Sequence, residues 1–161
     1  MRAIYQIDVS AVTEPQTYSL QLSKDLCDEI ATRFHVPAIL NVNIEMSLTP
    51  KNSIWELTGT IDATVQLMCV KSKQLFVSTF QDSFFVILSY VAIDNLELDV
   101  ELLEQSTVDI GDIAIQYLAM IIPTSPLHPE FNDASSKIIS HPSNTIQAEW
   151  KQSLSRLKHP K

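Results

Sequence analysis

Three long runs of alternating apolar and polar residues occupy the middle of the chain and constrain its fold more than any other feature. They span residues 40–48, 55–67 and 74–89. Because successive side chains of a strand point to opposite faces, this period predicts neighbouring antiparallel strands with one face buried. Shorter alternations at 3–9 and 18–22 predict two further strands.

Helical spacing of apolar residues predicts three helices around these strands. Ser23 can cap a helix over about 23–35, since its hydroxyl can accept a hydrogen bond from a free amide of the first turn. A second helix is expected over 110–122, where Pro123 ends it, and a third over about 145–158. We therefore expect an α+β fold, with a mostly antiparallel, curved sheet and three helices packed on it.

The chain of 161 residues matches the length of one domain, so we expect a single domain over 1–161. Prolines and small polar residues are frequent in 124–143, which predicts an irregular loop there. Only 2 glycines are present, and Gly59 stands inside a strand pattern, where it predicts a β-bulge.

Cysteine use and the absence of long apolar runs indicate the compartment. Two cysteines, Cys27 and Cys69, cannot form a disulfide framework, and we expect both as free thiols in the core. The first ten residues lack the features of a secretory signal. No apolar run approaches the roughly 20 residues that cross a bilayer. The sequence predicts a cytoplasmic protein with no membrane partner.

The residues provide no constellation that predicts catalysis, and we expect no enzyme activity, no cofactor and no metal. No serine lies in a nucleophile elbow, and the four histidines are scattered. Cys69-Val70-Lys71-Ser72 resembles half of a Cys-x-x-Cys pair in which serine replaces the second thiolate, so no zinc is expected. Asp109 and Asp112 stand where carboxylates match the dipole of a helix N-terminus.

Charge is distributed unevenly along the chain, whose formal net charge is −8. Ten acidic residues and no Lys or Arg lie between Lys73 and Lys137, so this segment carries −10 and the remainder +2. Uncompensated like charge attracts an oppositely charged partner. The predicted docking surface for such a partner consists of Asp94, Glu97, Asp99, Glu101 and Glu104. Near the C-terminus, Lys151, Arg156 and Lys158 could contact RNA or form ion pairs within the chain.

Several short motifs resemble those of one bacterial family. They are VQLMCVKSKQLF at 65–76, LDVELLEQ at 98–105, IGDI at 110–113 and LAMIIPTSPLH at 118–128. In order and spacing they are similar to the YceD family, whose members are called large ribosomal RNA subunit accumulation proteins. The resemblance covers roughly residues 16–158.

Two positions depart from the family pattern. Many members carry a second cysteine at the position of Ser72, so a metal role implied by those members does not extend to this chain. The family has Asn-Pro-Phe before its last helix, where this chain has Asn-Thr-Ile at 144–146.

The resemblance implies a non-enzymatic accessory factor that supports accumulation or maturation of large-subunit (23S) ribosomal RNA. Together with the charge distribution, this leads to the hypothesis that the protein engages a basic ribosomal protein, precursor large-subunit RNA, or both through separate charged surfaces, and no small-molecule substrate is expected. The strand pattern leaves open a different class, a carrier whose curved sheet surrounds a cavity for a small apolar ligand, because alternation does not distinguish a packed core from a cavity. A hydrolase would require close carboxylates in a deep cleft.

Overall fold

The computed structural model describes residues 2–95 and 97–131. The predicted helix at 145–158 lies outside these ranges, as does the predicted loop from residue 132 onward. The chain divides into two compact units. The first contains Met1–Leu67 and Leu75–Thr124, and the second contains Met68–Gln74 and Ser125–Lys161. The single domain over 1–161 stays a prediction.

The first unit is built around a five-stranded sheet. The described residues form seven strands: β1 (Gln6–Asp8), β2 (Gln16–Gln21), β3 (Ala38–Lys51), β4 (Ile54–Met68), β5 (Leu75–Ser89), β6 (Val100–Leu102) and β7 (Thr107–Asp109). The large sheet has the order β2-β3-β4-β5-β6, and β1 and β7 form a separate antiparallel pair. β3 is antiparallel to both β2 and β4, whereas β6 is parallel to β5. The predicted α+β class with a mostly antiparallel sheet is confirmed.

Two α-helices lie entirely within the described residues, and residues 129–131, inside the predicted irregular loop at 124–143, are helical as well. Helix α1 (Lys24–Phe34) follows Ser23, whose hydroxyl accepts a hydrogen bond from the Leu26 amide at 3.4 Å. It ends at His35, whose left-handed backbone, with φ of 55°, lets its amide donate to the last turn. Helix α2 (Ile110–Ile121) follows Asp109. No described helix is long and apolar enough to cross a membrane.

The core lies on the face of the sheet that the alternation predicts. Strands β3 and β4 contribute the buried side chains Ile39, Val42, Ile44, Met46, Leu48, Leu57, Ile61, Ala63, Val65 and Leu67. Helix α1 contributes Leu26 and Ile30, and helix α2 contributes Ile110, Ala114 and Leu118. Cys27 and Cys69 are buried and free, as predicted.

Two details of the predicted strands are wrong. Leu40 is 55% exposed, because the register of β3 shifts between Ile39 and Asn41 and Ile39 takes the core position instead. Gly59 forms no bulge with β3, since it pairs with Met46 in an uninterrupted part of that ladder. A β-carbon at Gly59 would overlap the ring of Phe84, so the glycine makes room for that ring.

Candidate functional site

The five carboxylates of the predicted docking surface lie in the connection between β5 and β7. We call residues 94–104 the acidic segment. Its backbone is fastened to the end of β5, because the Ile87 amide donates to the Asp99 carbonyl at 2.9 Å and the Leu103 amide donates to the Ser89 carbonyl at 2.8 Å. All five acidic residues are exposed. The fold therefore presents them to solvent from a segment that is held at both ends of β6.

Tyr117 of α2 holds the side chain of Asp99. Its hydroxyl donates to Asp99 Oδ2 at 2.8 Å, and its ring stacks on Phe84 with centroids 4.8 Å apart and planes inclined by 12°. Burial, followed by the hydrogen bond and charge of Asp99 and then the charge of Glu101, raises the pKa of Tyr117 to about 12. The phenol therefore remains a donor at neutral pH and fixes one carboxylate of the acidic segment.

Within the part of the chain that the structure describes, no ion pair offsets the negative charge of the acidic segment. The ion pairs found there are Arg33–Asp112 at 3.2 Å, Lys51–Glu56 at 2.8 Å and His128–Glu130 at 3.7 Å. None includes a carboxylate of the acidic segment. Lys151, Arg156 and Lys158 lie outside the described residues, so their predicted contacts with RNA or with the acidic segment stay predictions.

Asp109 and Asp112, which the sequence places at the N-terminus of a helix, both have structural partners. Asp109 Oδ1 accepts hydrogen bonds from the Asp112 amide at 3.0 Å and the Tyr5 amide at 2.8 Å, and Asp109 Oδ2 accepts one from the Ile4 amide at 2.7 Å. Asp109 thus caps α2 and holds the N-terminal segment at the same time. The Asp112 carboxylate accepts from the side chains of Arg33 and Gln116, at 3.2 and 3.0 Å. Both carboxylates are thus engaged by groups of the chain itself.

In the second unit, Cys69 begins a tight turn, and hydrogen-bond donors of this turn lie close to the Cys69 sulfur. The Lys73 amide donates to the Cys69 carbonyl at 2.9 Å, and the Ser72 amide lies 3.5 Å from Cys69 Sγ. Burial raises the pKa of the Cys69 thiol, but hydrogen bonds from the Ser72 hydroxyl and amide, and from the amides of His128 and Lys71, outweigh it and lower the pKa to about 6. These hydrogen bonds therefore favour the thiolate form of Cys69 more than the surroundings of an ordinary buried thiol do.

Replacing Ser72 by alanine should raise the pKa of Cys69, because the hydroxyl donor is lost while the backbone amides remain. The thiolate absorbance in the ultraviolet, followed against pH in a Cys27→Ala background, measures this change. The native pKa of Cys69 lies below the ordinary value of 9.0, so ionisation of this group stabilises the folded state. The stabilisation is complete at pH values above 9.0 and is lost as the pH falls through about 6. An identical titration curve for the alanine variant would show that the hydroxyl does not stabilise the thiolate.

The donors around Cys69 do not amount to a metal site within residues 2–95 and 97–131. No group of three or more His, Cys, Asp or Glu side chains that could hold a metal ion is present there. The side chain of Ser72 replaces a thiolate, and serine is a poor zinc ligand. The expected lack of stoichiometric zinc stays a prediction that elemental analysis of the purified protein can test.

The outward face of the sheet carries an open hollow of about 470 Å³. The side chains around it are mainly short and polar, and its lining residues are Thr17, Glu45, Met46, Ser47, Thr58, Gly59, Thr60, Ser83 and Phe84. The Glu45 carboxylate accepts a hydrogen bond from the Ser19 hydroxyl at 2.5 Å. The hollow is open to solvent, whereas sites for small apolar ligands are usually clefts or cavities that enclose most of the ligand.

Sequence reasoning located the acidic segment but missed the residues that hold it. Tyr117 was visible only as one member of the apolar stripe of α2, and nothing in that pattern indicates a hydrogen bond to Asp99. Comparison of the chain with protein-family models, curated proteins and solved structures found no match.

Proposed function

We propose that this protein is a non-enzymatic accessory factor that supports accumulation of large-subunit ribosomal RNA, and that it docks a basic ribosomal protein on its acidic segment. The RNA role rests on the resemblance of residues 65–76, 98–105 and 110–128 to the YceD family. The docking role rests on one observation, the exposure of five carboxylates without a described counter-charge.

The physical effect of such a surface is on encounter and selectivity. Exposed ion pairs each contribute little free energy, about 0.2–1 kcal/mol. A group of like charges nevertheless raises the local potential and accelerates association with an oppositely charged protein, while it disfavours an acidic one. The backbone hydrogen bonds to β5 and the Tyr117–Asp99 bond support this role, because a segment held in place loses less conformational entropy on binding.

The surroundings of the carboxylates favour a binding protein over an enzyme. Catalytic carboxylates are found in clefts that shift their pKa values toward the working pH. The five side chains of the acidic segment lie on exposed surface. The more buried carboxylate of Asp109 is occupied by three backbone amides.

The docking role is tested by capturing partners from cell extract on immobilised protein at low salt. The acidic-segment variant is Glu97→Gln/Glu101→Gln/Glu104→Gln, which leaves the Tyr117–Asp99 bond intact. Its matched control, Glu14→Gln/Asp28→Asn/Glu29→Gln, neutralises exposed carboxylates elsewhere, and both variants change the formal net charge from −8 to −5. We expect the acidic-segment variant to bind a basic ribosomal protein about tenfold more weakly, which corresponds to about 0.5 kcal/mol for each charge.

The control variant should capture the same protein as the unaltered chain, and physiological salt should weaken capture, because the Debye length falls to about 8 Å. Undiminished capture by the acidic-segment variant would exclude this segment as the docking site. Equal loss in both variants would assign the effect to net charge. Recovery of RNA without a basic protein would instead favour direct RNA contact.

A further inference from the structure

Strand β2 forms one edge of the large sheet, and half of its backbone groups face away from the sheet. The Leu22 amide donates to the Val42 carbonyl at 3.1 Å, which fixes the phase of the antiparallel ladder between β2 and β3. In that phase, Thr17, Ser19 and Gln21 direct their amides and carbonyls away from β3. All three residues are exposed, and no hydrogen bond to these backbone groups occurs among the residues that the structure describes.

Among the described residues, β2 lacks the devices by which proteins protect a free edge. Edge strands are usually blocked by charged side chains, proline, a bulge or very short length. The sequence of β2, QTYSLQ, has no charge and no proline, and its register with β3 is uninterrupted. By contrast, β6 at the opposite edge has 3 residues and carries Glu101. β6 pairs only with Ile87–Ser89 of β5, and in the part of β5 before this pairing the Ser83 amide donates to the Asp82 carboxylate at 2.8 Å.

We propose that a second copy of this chain pairs with β2, so that two sheets join edge to edge around a twofold axis at Ser19. In an antiparallel pairing about this axis, a residue that precedes Ser19 lies opposite the residue that follows Ser19 by the same number of positions in the other copy. Thr17 then lies opposite Gln21 of the second copy, and Tyr18 lies opposite Leu20 of the second copy. The pairing closes about six backbone hydrogen bonds.

The second copy fits this edge because β2 is complementary to itself about Ser19. On the outward face, each pair joins neutral polar side chains. On the other face, each pair joins an aromatic and an aliphatic side chain, and both Tyr18 and Leu20 are only partly buried in the single chain. Cross-strand pairs of these kinds are favourable, and no like charges come to lie directly opposite each other.

This inference is independent of the proposed function. β2 and β6 are at opposite edges of the sheet, so pairing through β2 leaves the β6 edge with Glu101 open. A dimer of this kind would carry two acidic segments.

The pairing is tested by sedimentation equilibrium of the full chain over a wide concentration range. Thr17→Lys/Gln21→Lys should weaken the dimer at least tenfold, because it places a lysine opposite a lysine twice across the axis. Thr17→Lys/Gln21→Glu shares the first substitution but places a lysine opposite a glutamate twice, so it should restore the dimer. Within one chain both positions lie directly opposite neutral residues of β3, Ser47 and Asn43, so neither variant places like charges directly opposite each other there.

We expect a dimer for the unaltered chain, mainly monomer for the double-lysine variant, and a dimer for the mixed-charge variant, whose stability should fall as salt rises. A monomeric unaltered chain would overturn the proposal. So would a double-lysine variant that dimerises normally, or a mixed-charge variant that stays monomeric, because the twofold register requires positions 17 and 21 to face each other.

Discussion

Replacing Asp109 by alanine should lower the free energy of unfolding by about 3 kcal/mol. Loss of a helix N-cap costs about 1 kcal/mol, and leaving partly buried amides without an acceptor costs about 1–3 kcal/mol each. The Asp109 carboxylate serves three amides, those of Ile4, Tyr5 and Asp112. Urea denaturation followed by circular dichroism measures the loss.

Two further variants separate the roles of this carboxylate. Asp109→Asn retains one side-chain oxygen, which can still accept from the Tyr5 and Asp112 backbone amides. Its NH₂ group then faces the Ile4 backbone amide and cannot accept from it, so we expect about half of the loss in unfolding free energy that Asp109→Ala causes. Asp112→Ala removes a carboxylate whose side-chain partners are Arg33 and Gln116, and it should cost about 1 kcal/mol or less. If Asp109→Ala were as mild as Asp112→Ala, the N-terminal segment would not be held by Asp109.

Replacing Gly111 by alanine should destabilise the protein by about 2 kcal/mol, although alanine is the better helix former by about 1 kcal/mol. A β-carbon at this position would lie 2.6 Å from Ile4 Cγ2 and 2.9 Å from the Tyr5 backbone nitrogen. The segment cannot move away freely, because Asp109 binds the Ile4 and Tyr5 amides. The gain in helix propensity is therefore outweighed by displacement of the N-terminal segment.

The control for this prediction is Met120, which is 69% exposed in the same helix. The difference in stability between Met120→Gly and Met120→Ala gives the intrinsic advantage of alanine in α2. Thermal unfolding of all variants in one buffer makes the comparison. Stabilisation by Gly111→Ala of the size seen at position 120 would contradict the close approach of Ile4.

The parts of the fold that follow from local periodicity were predictable from the sequence. Alternation at 55–67 indicated which face of β4 is buried, and Ser23 indicated where α1 begins. The shift at Leu40 was not predictable, because one inserted residue leaves the apolar pattern on both sides almost unchanged. The pairing of β1 with β7 joins Gln6 to Asp109, and periodicity does not identify so distant a partner.

The same distinction applies to the candidate site. Exposure of the acidic segment was predictable, because carboxylates without counter-charges remain in solvent. Its attachment by Tyr117 was not, since an aromatic residue in an apolar stripe has the same sequence signal whether or not its hydroxyl has a partner. The free edge of β2 was also hidden, because a strand's alternation is the same at an edge as inside a sheet.

The ratio of mature large-subunit to small-subunit ribosomal RNA in cells depleted of this protein tests its proposed role most directly. We expect depletion to lower the ratio, and expression of the unaltered chain to restore it. Glu14→Gln/Asp28→Asn/Glu29→Gln should also restore it, whereas Glu97→Gln/Glu101→Gln/Glu104→Gln should restore it only in part. An unchanged ratio under complete depletion, with growth impaired, would contradict a role in ribosomal RNA accumulation and favour the carrier.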